Sequence, residues 1–173
     1  MAHKVYSHPE TPICFKPAAN AFPTGVGIPS GVSVTFSVDS LPSGQGRISN
    51  QYDLGVGPRA TLFEWRAKAV LASTSGALGA SVEAYICTSN SVCNDGSLTQ
   101  ADAALTDAER RRNLQYVGAV VVDTTGVGAG NLQSAGLVEI FGRYISATWW
   151  NNTNLPLSTG NYFILTPVPD EIQ

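Results

Sequence analysis

The chain is short of charge. Only 13% of its 173 residues are Asp, Glu, Lys or Arg, roughly half the share of a typical soluble domain. That scarcity excludes the coiled coil and the helix bundle, whose surfaces need abundant Glu, Lys and Arg. It does not signal disorder, because hydrophobic residues still make up 43%. A formal net charge of -3 supplies no electrostatic reason to expect nucleic acid as a partner.

Histidine is scarcer still. The chain has two, His3 and His8, both in a proline-punctuated N-terminal stretch. A Ser-His-Asp or Cys-His site would need that stretch to fold back onto the body. Zinc ligation meets the same obstacle. Cys87 and Cys93 have the wrong spacing for a paired knuckle and no His beside them. The three cysteines, Cys14, Cys87 and Cys93, are odd in number, so they read as reduced, structural thiols. No metal or cofactor is expected. Long apolar runs are missing too. The longest, Tyr116 to Val122, falls far short of the ~20 residues that span a bilayer. Residues 1 to 30 lack the apolar core of a signal peptide. The expectation is a protein of about one domain, made in a cytosol, with no membrane partner.

Gly and Pro are plentiful, at 17 and 10. Pro9, Pro12, Pro17, Pro23 and Pro29 forbid helix over residues 1 to 30 and predict an extended arm. Val5, Tyr6, Ile13, Phe15 and Phe22 stud it, which a free tail would not need. From residue 31 the period is two. Val32, Val34, Phe36 and Val38 alternate with polar residues as in a half-buried strand. A weak strand is expected near 47 to 53. In Leu62 to Leu71, Glu64, Arg66 and Lys68 face water while Phe63, Trp65, Ala67, Ala69 and Leu71 face a core. Ala80 to Cys87 repeats the pattern with Val82, Ala84 and Ile86 inward. Thr106 to Asn113 is the one short helix, with Thr106 and Glu109 at capping-box spacing. Strands are then expected at 116 to 122, from 137 to 150 with a break or bulge at Gly142, and at 161 to 166. Asn131 to Gly136 reads as loop. The fold class is all-β, an antiparallel β-sandwich of the jelly-roll kind with an N-terminal arm over 1–30 and the sandwich domain over 31–173.

Motifs that suggest chemistry have plain alternatives. Asp123-Thr124-Thr125-Gly126 differs from an aspartic-protease turn by an extra Thr, and reads as a strand-ending turn. Gly126, Gly128 and Gly130 lack the following helix that a dinucleotide fingerprint requires. Glu64, Glu83 and Glu139 lie on strands, but glycoside hydrolysis needs two of them facing across a cleft. Adjacent Trp149 and Trp150 point to opposite faces, so one is expected in the core and the other at the surface. A surface Trp could stack on a sugar or anchor an interface. Tyr144 and Arg143 nearby favour the interface. Arg110, Arg111 and Arg112 form the only basic cluster, a solvated helix end or a contact for an acidic surface. Partner-contact candidates are Tyr6, Phe15, Phe22, Arg110, Arg111, Arg112, Tyr144 and Trp150. The chain does not read as an enzyme.

Three features together carry a resemblance. One is the proline-punctuated arm before a jelly-roll-like domain. Another is the stretch Asp107-Ala108-Glu109-Arg110-Arg111-Arg112-Asn113-Leu114-Gln115-Tyr116-Val117-Gly118 leading into a Val-rich strand. The third is the ending Thr166-Pro167-Val168-Pro169-Asp170-Glu171-Ile172-Gln173. The chain resembles small virion proteins of tailed bacteriophages, in particular the jelly-roll decoration or cement proteins. The resemblance covers most of the chain. It implies a structural protein of the capsid exterior, assembled in the host cytoplasm, that binds the major capsid protein and bridges its subunits. It implies a homo-oligomer, with a trimer favoured over a dimer, and no catalytic residue. A carbohydrate-binding module on a virion or cell surface is the alternative.

Overall fold

A computed structural model describes residues 5–6, 11–23, 30–57, 59–90, 101–123, 131–168 and 171–172. In chain order its strands are β1 (Val5–Tyr6), β2 (Ile13–Lys16), β3 (Val32–Thr35), β4 (Gly46–Ile48), β5 (Tyr52–Asp53), β6 (Leu62–Ala69), β7 (Ser81–Ser89), β8 (Ala103–Leu105), β9 (Gln115–Val121), β10 (Leu132–Glu139), β11 (Tyr144–Asn151), β12 (Tyr162–Pro167) and β13 (Glu171–Ile172). A 3-10 helix spans Ala108–Asn113. Two sheets pack face to face, with orders β10-β6-β12-β2-β3 and β8-β4-β11-β7-β9, and β5 joins the second through β11. β1 and β13 pair separately.

The pairing is that of a jelly roll. Among β2, β4, β6, β7, β9, β10, β11 and β12, the first strand pairs with the last and the second with the second-last. The third pairs with the third-last, and the middle two pair with each other, all antiparallel. Rolling up this long ribbon adds the β12–β6 and β11–β7 contacts that complete both sheets.

Alternation in β6 and β7 builds the core as expected. Phe63, Trp65, Ala67 and Ala69 point inward from one sheet, and Val82, Ala84 and Ile86 from the other. Trp65 stacks on Phe163 at 6.1 Å between ring centres, and Phe36 meets Trp149 edge-on at 5.7 Å. Such aromatic pairs add to what area burial alone contributes.

Four expectations need correction. The boundary at residue 30 does not divide arm from sandwich, because residues 13 to 16 dock along the chain's own domain as one of its strands. β2 lies between β12 and β3, and all four of its residues are buried. Proline excludes helix from this stretch but leaves Ile13 to Lys16 free to pair, and the apolar residues belong to the core. Asn131 to Gly136 is not loop either, since Leu132 to Gly136 form the first half of β10. Weak strand formers are held there by antiparallel pairing with β6. The short helix is 3-10, and Asp107 caps it in place of Thr106, accepting from the Glu109 N–H at 2.9 Å. Finally, the expected strand near 47 to 53 is two strands, β4 and β5, whereas the stretch from 137 to 150 divides between β10 and β11 around Gly142 as expected.

Placing β2 inside the sheet gives the first prediction. A chain lacking residues 1–30 loses Ile13 and Phe15 from the core and leaves β12 and β3 without their shared partner. It is expected to show no cooperative thermal transition by circular dichroism. A sharp melt near that of the full chain would refute the assignment of β2.

Candidate interaction surfaces

The first surface is a strap over the outer face of the second sheet. β8 and β9 lie at opposite edges of that sheet. The chain between them, residues 106 to 114, must therefore cross the outer face, and the 3-10 helix sits on this crossing. The start of β8, the strand that leads into this crossing, is pinned by Asp102. The Arg47 side chain donates to both Asp102 carboxylate oxygens at 2.8 Å, and the Ser37 N–H donates at 3.1 Å. Burial pushes the Asp102 pKa up, but these donors outweigh it and hold the group below its ordinary value. The end of the crossing is pinned by Leu114, which packs with Ile48, Cys87, Leu105 and Trp150.

Trp150 therefore lies beneath the strap, 3% exposed. The Arg111 guanidinium sits 4.6 Å from its ring centre and donates to Glu83 Oε2 at 2.7 Å. Tyr85 donates its hydroxyl to the same oxygen at 2.5 Å and meets Tyr116 edge-on at 5.4 Å. Burial, then Glu83, pushes the Tyr85 pKa up to about 12. Tyr85, Glu109, Arg111 and Arg112 line a shallow open depression beside the strap.

The second surface is a loop end of the sandwich. Here residues 53 to 57 and Arg59 lie against residues 141 to 143. The Leu54 N–H donates to the Arg143 carbonyl, and the Arg59 guanidinium donates to the Phe141 carbonyl at 2.6 Å. Arg143 grips Asp53 with two hydrogen bonds of 2.8 and 2.6 Å, and lies 4.8 Å from the Tyr144 ring centre. That grip, with the Gly55 N–H also donating, holds the Asp53 carboxyl at about 2, down from 3.8. Val56 and Phe141 project from this end, 82% and 69% exposed.

The sequence candidates separate into three groups. Phe15 and Trp150 are buried in the folded chain and present no contact surface. Trp149 is buried as well, so the expectation of one surface Trp is corrected. Alternation did put the two on opposite faces, but the strap covers the outer one. Arg111 is committed to Glu83 and Trp150. Arg112 is well exposed and pairs with Glu109 at 3.0 Å. Tyr144 is half-buried beside Arg143, and Phe22 is half-buried near Gly31. The side chains of Tyr6 and Arg110 lie outside the described residues, as do His3, His8, Cys93 and the glycines 126, 128 and 130. Cys14 and Cys87 are both buried, and burial pushes the Cys14 thiol up to about 12. Sequence reasoning missed Val56 and Phe141, because a lone apolar residue in a loop carries no periodicity.

The strand carboxylates do not converge on a cleft. Glu83 lies on the outer face of the second sheet, while Glu64 and Glu139 lie on the outer face of the first. Glu64 is paired with Arg66 at 2.8 Å. Among the described residues no group of three or more His, Cys, Asp or Glu is placed to hold a metal ion, and no helix is long and apolar enough to cross a membrane. No protein-family model matches the chain, and no curated protein matches it.

Two predictions follow from these contacts. Trp150→Ala is expected to cost about 3–5 kcal/mol of stability, as for a core aromatic. Chemical denaturation measures it, and a loss below about 1 kcal/mol would mark Trp150 as a surface residue. The second concerns acid. A depressed carboxylate contributes stability above its unfolded pKa and loses it as pH falls through its folded value. The Asp53 contribution is thus present above 3.8 and lost toward about 2. Denaturant midpoints between pH 5 and pH 2 are expected to fall more steeply for the wild type than for Asp53→Asn.

Proposed function

We propose that the protein is a structural virion protein, a decoration or cement protein. It binds the outer surface of a major capsid shell as a homo-oligomer and stabilises the shell by bridging subunits. One observation carries the reading. Among the described residues, a charge-poor jelly roll leaves its two most exposed large apolar side chains, Val56 and Phe141, at the same loop end. Side chains of this size in water cost free energy unless another surface covers them. Arg59 and the Asp53–Arg143 pair stand around them, an arrangement of apolar centre and polar rim that suits a protein interface.

The alternative, glycan binding, loses its expected foothold because both Trp149 and Trp150 are buried. It keeps the depression lined by Tyr85, Glu109, Arg111 and Arg112, where aromatic and charged groups meet at an open surface.

Co-sedimentation with virus-like particles tests the choice. The double variant Val56→Asp, Phe141→Asp is expected to bind capsids about tenfold more weakly or worse. Arg112→Ala is expected to bind them as the wild type does. Equal capsid binding by the double variant, or glycan binding lost on Arg112→Ala, would favour the alternative.

A further inference from the structure

The loop end that carries Val56 and Phe141 also carries a cation without an anion. Arg47, Arg66, Arg111, Arg112 and Arg143 each pair with a carboxylate, and among the arginine side chains described Arg59 is the one that pairs with none. Its guanidinium donates to the Phe141 carbonyl at 2.6 Å, and its Nε–H is buried with no partner. Asp53 feels the Arg59 charge, but its oxygens are taken by two hydrogen bonds from Arg143 and one from the Gly55 N–H. Glu139 stands two residues before Phe141 and does not pair with Arg59 either. Two guanidiniums therefore share one carboxylate here. The apolar tip beside them is held in place. Gly55 and Gly57 have φ of 87° and 117°, a left-handed backbone that glycine adopts without strain. Val56 between them is held out into solvent. The Leu54 N–H, the Asp53–Arg143 pair and Arg59 itself fasten this turn to residues 141 to 143. An apolar side chain presented by fixed backbone loses little freedom on binding.

We propose that the protein surface met by this end carries a carboxylate beside its apolar side chains, and that Arg59 pairs with that carboxylate while Val56 and Phe141 take the apolar part. The inference rests on the reading of this end as an interface, and it adds the chemistry of the partner. A guanidinium already shielded from water at Nε has less hydration to lose, so a carboxylate from outside completes its hydrogen bonding at a smaller desolvation cost. Charge-assisted pairs of this kind are the stronger hydrogen bonds. A partner with a basic rim is repelled by the same charge, which makes Arg59 a source of specificity as well as affinity. A second copy meeting this end with its own like end would bring one unpaired cation against another. A glycan without acid groups would leave Arg59 unpaired.

Two variants separate the charge of Arg59 from its support of the Phe141 backbone. Arg59→Lys keeps the charge and loses the planar fork, whereas Arg59→Gln keeps a donor for the carbonyl and loses the charge. Both are expected to melt as the wild type does. In co-sedimentation with virus-like particles, Arg59→Gln is expected to bind about tenfold more weakly and Arg59→Lys only about threefold. Wild-type and Arg59→Lys binding are expected to weaken as salt is raised, and Arg59→Gln binding to lose most of that dependence. Equal losses in the two variants with unchanged salt dependence would assign Arg59 to support of the loop and overturn the inference. Capsid binding that falls in the Val56→Asp, Phe141→Asp double variant but not in Arg59→Gln overturns it too, and leaves the capsid reading standing. A wild type that binds no particle ends the capsid reading instead. A random displayed peptide library then decides the inference. Peptides that bind the wild type and not the double variant are expected to carry Asp or Glu beside Leu, Ile, Val or Phe, and to lose affinity on Arg59→Gln. A selection that returns no such peptides, or peptides indifferent to Arg59, overturns it.

Discussion

The packing of large indoles onto bare glycine backbone sets the shape of this jelly roll. Trp65 stands on β6 and fills the gap where the two sheets meet at β9 and β10. A Cβ on Gly118 would fall 2.5 Å from its ring, and one on Gly136 would fall 2.7 Å from its Nε1. Neither distance can be tolerated without movement, so both strands must be bare at that level. Close approach of β9 and β10 around Trp65 closes the core on that side, with no covering segment among the described residues. The same approach leaves Tyr116 and Leu137 facing outward, because nothing of this chain lies beyond them in the described structure. Trp150 repeats the device on the outer face of the second sheet, opposite Gly46, where a Cβ would fall 2.4 Å from the ring. Part of the glycine surplus is thus a packing requirement, distinct from the turns at Gly44 and Gly79, where φ is 75° and 79°.

From these indoles the asymmetry of the two narrow sides follows. On the β3 and β8 side, closure is polar. Asp102 takes hydrogen bonds from Arg47 and Ser37, and its own N–H donates to Asn50 Oδ1 at 2.6 Å. On the β9 and β10 side, closure is apolar and rests on shape. Polar closure ties down backbone and shortens the edges. Closure by shape leaves long strands with their outer rims available. The strap adds a third layer by covering Trp150, Ile48 and Cys87, so the second sheet is buried on both faces at its centre.

Much of the sandwich was legible in the sequence because its central strands are long and alternate cleanly. In β6 the row Glu64, Arg66, Lys68 against Phe63, Trp65, Ala67 leaves one reading, and β7 behaves alike. What was illegible depended on distant partners. β2 reads Ile13-Cys14-Phe15-Lys16, four buried residues with no alternation. Surrounded by prolines, such a run declares itself a core strand only once β12 and β3 are known to flank it. The first half of β10 is Leu132-Gln133-Ser134-Ala135-Gly136, whose small residues have little intrinsic strand preference. Gly136 is bare because Trp65 occupies the space, and local sequence does not reveal that. Trp150 shows the limit on the site side. Periodicity gave its face correctly, but a strap arriving from the opposite edge of the sheet decided its exposure.

The scarcity of charge has a more definite structural basis than composition could supply. Arg47, Arg66, Arg111, Arg112 and Arg143 each pair with a carboxylate, and three of these pairs fasten loops or the strap. Arg47–Asp102 fastens the chain where it enters β8 ahead of the crossing, Arg111–Glu83 the helix of the crossing, and Arg143–Asp53 the loop end. Exposed pairs contribute little each, yet every charge so used is one not spent on solvating a surface. A chain with few charges that commits them to fastening must leave other surface without them. That surface is where Val56, Phe141, Tyr116, Val121 and Leu137 stand. An uncharged edge and an apolar loop end are aggregation liabilities in a protein that stays alone. In one that assembles they are the areas where desolvation costs least, because few charges must be stripped of water before contact.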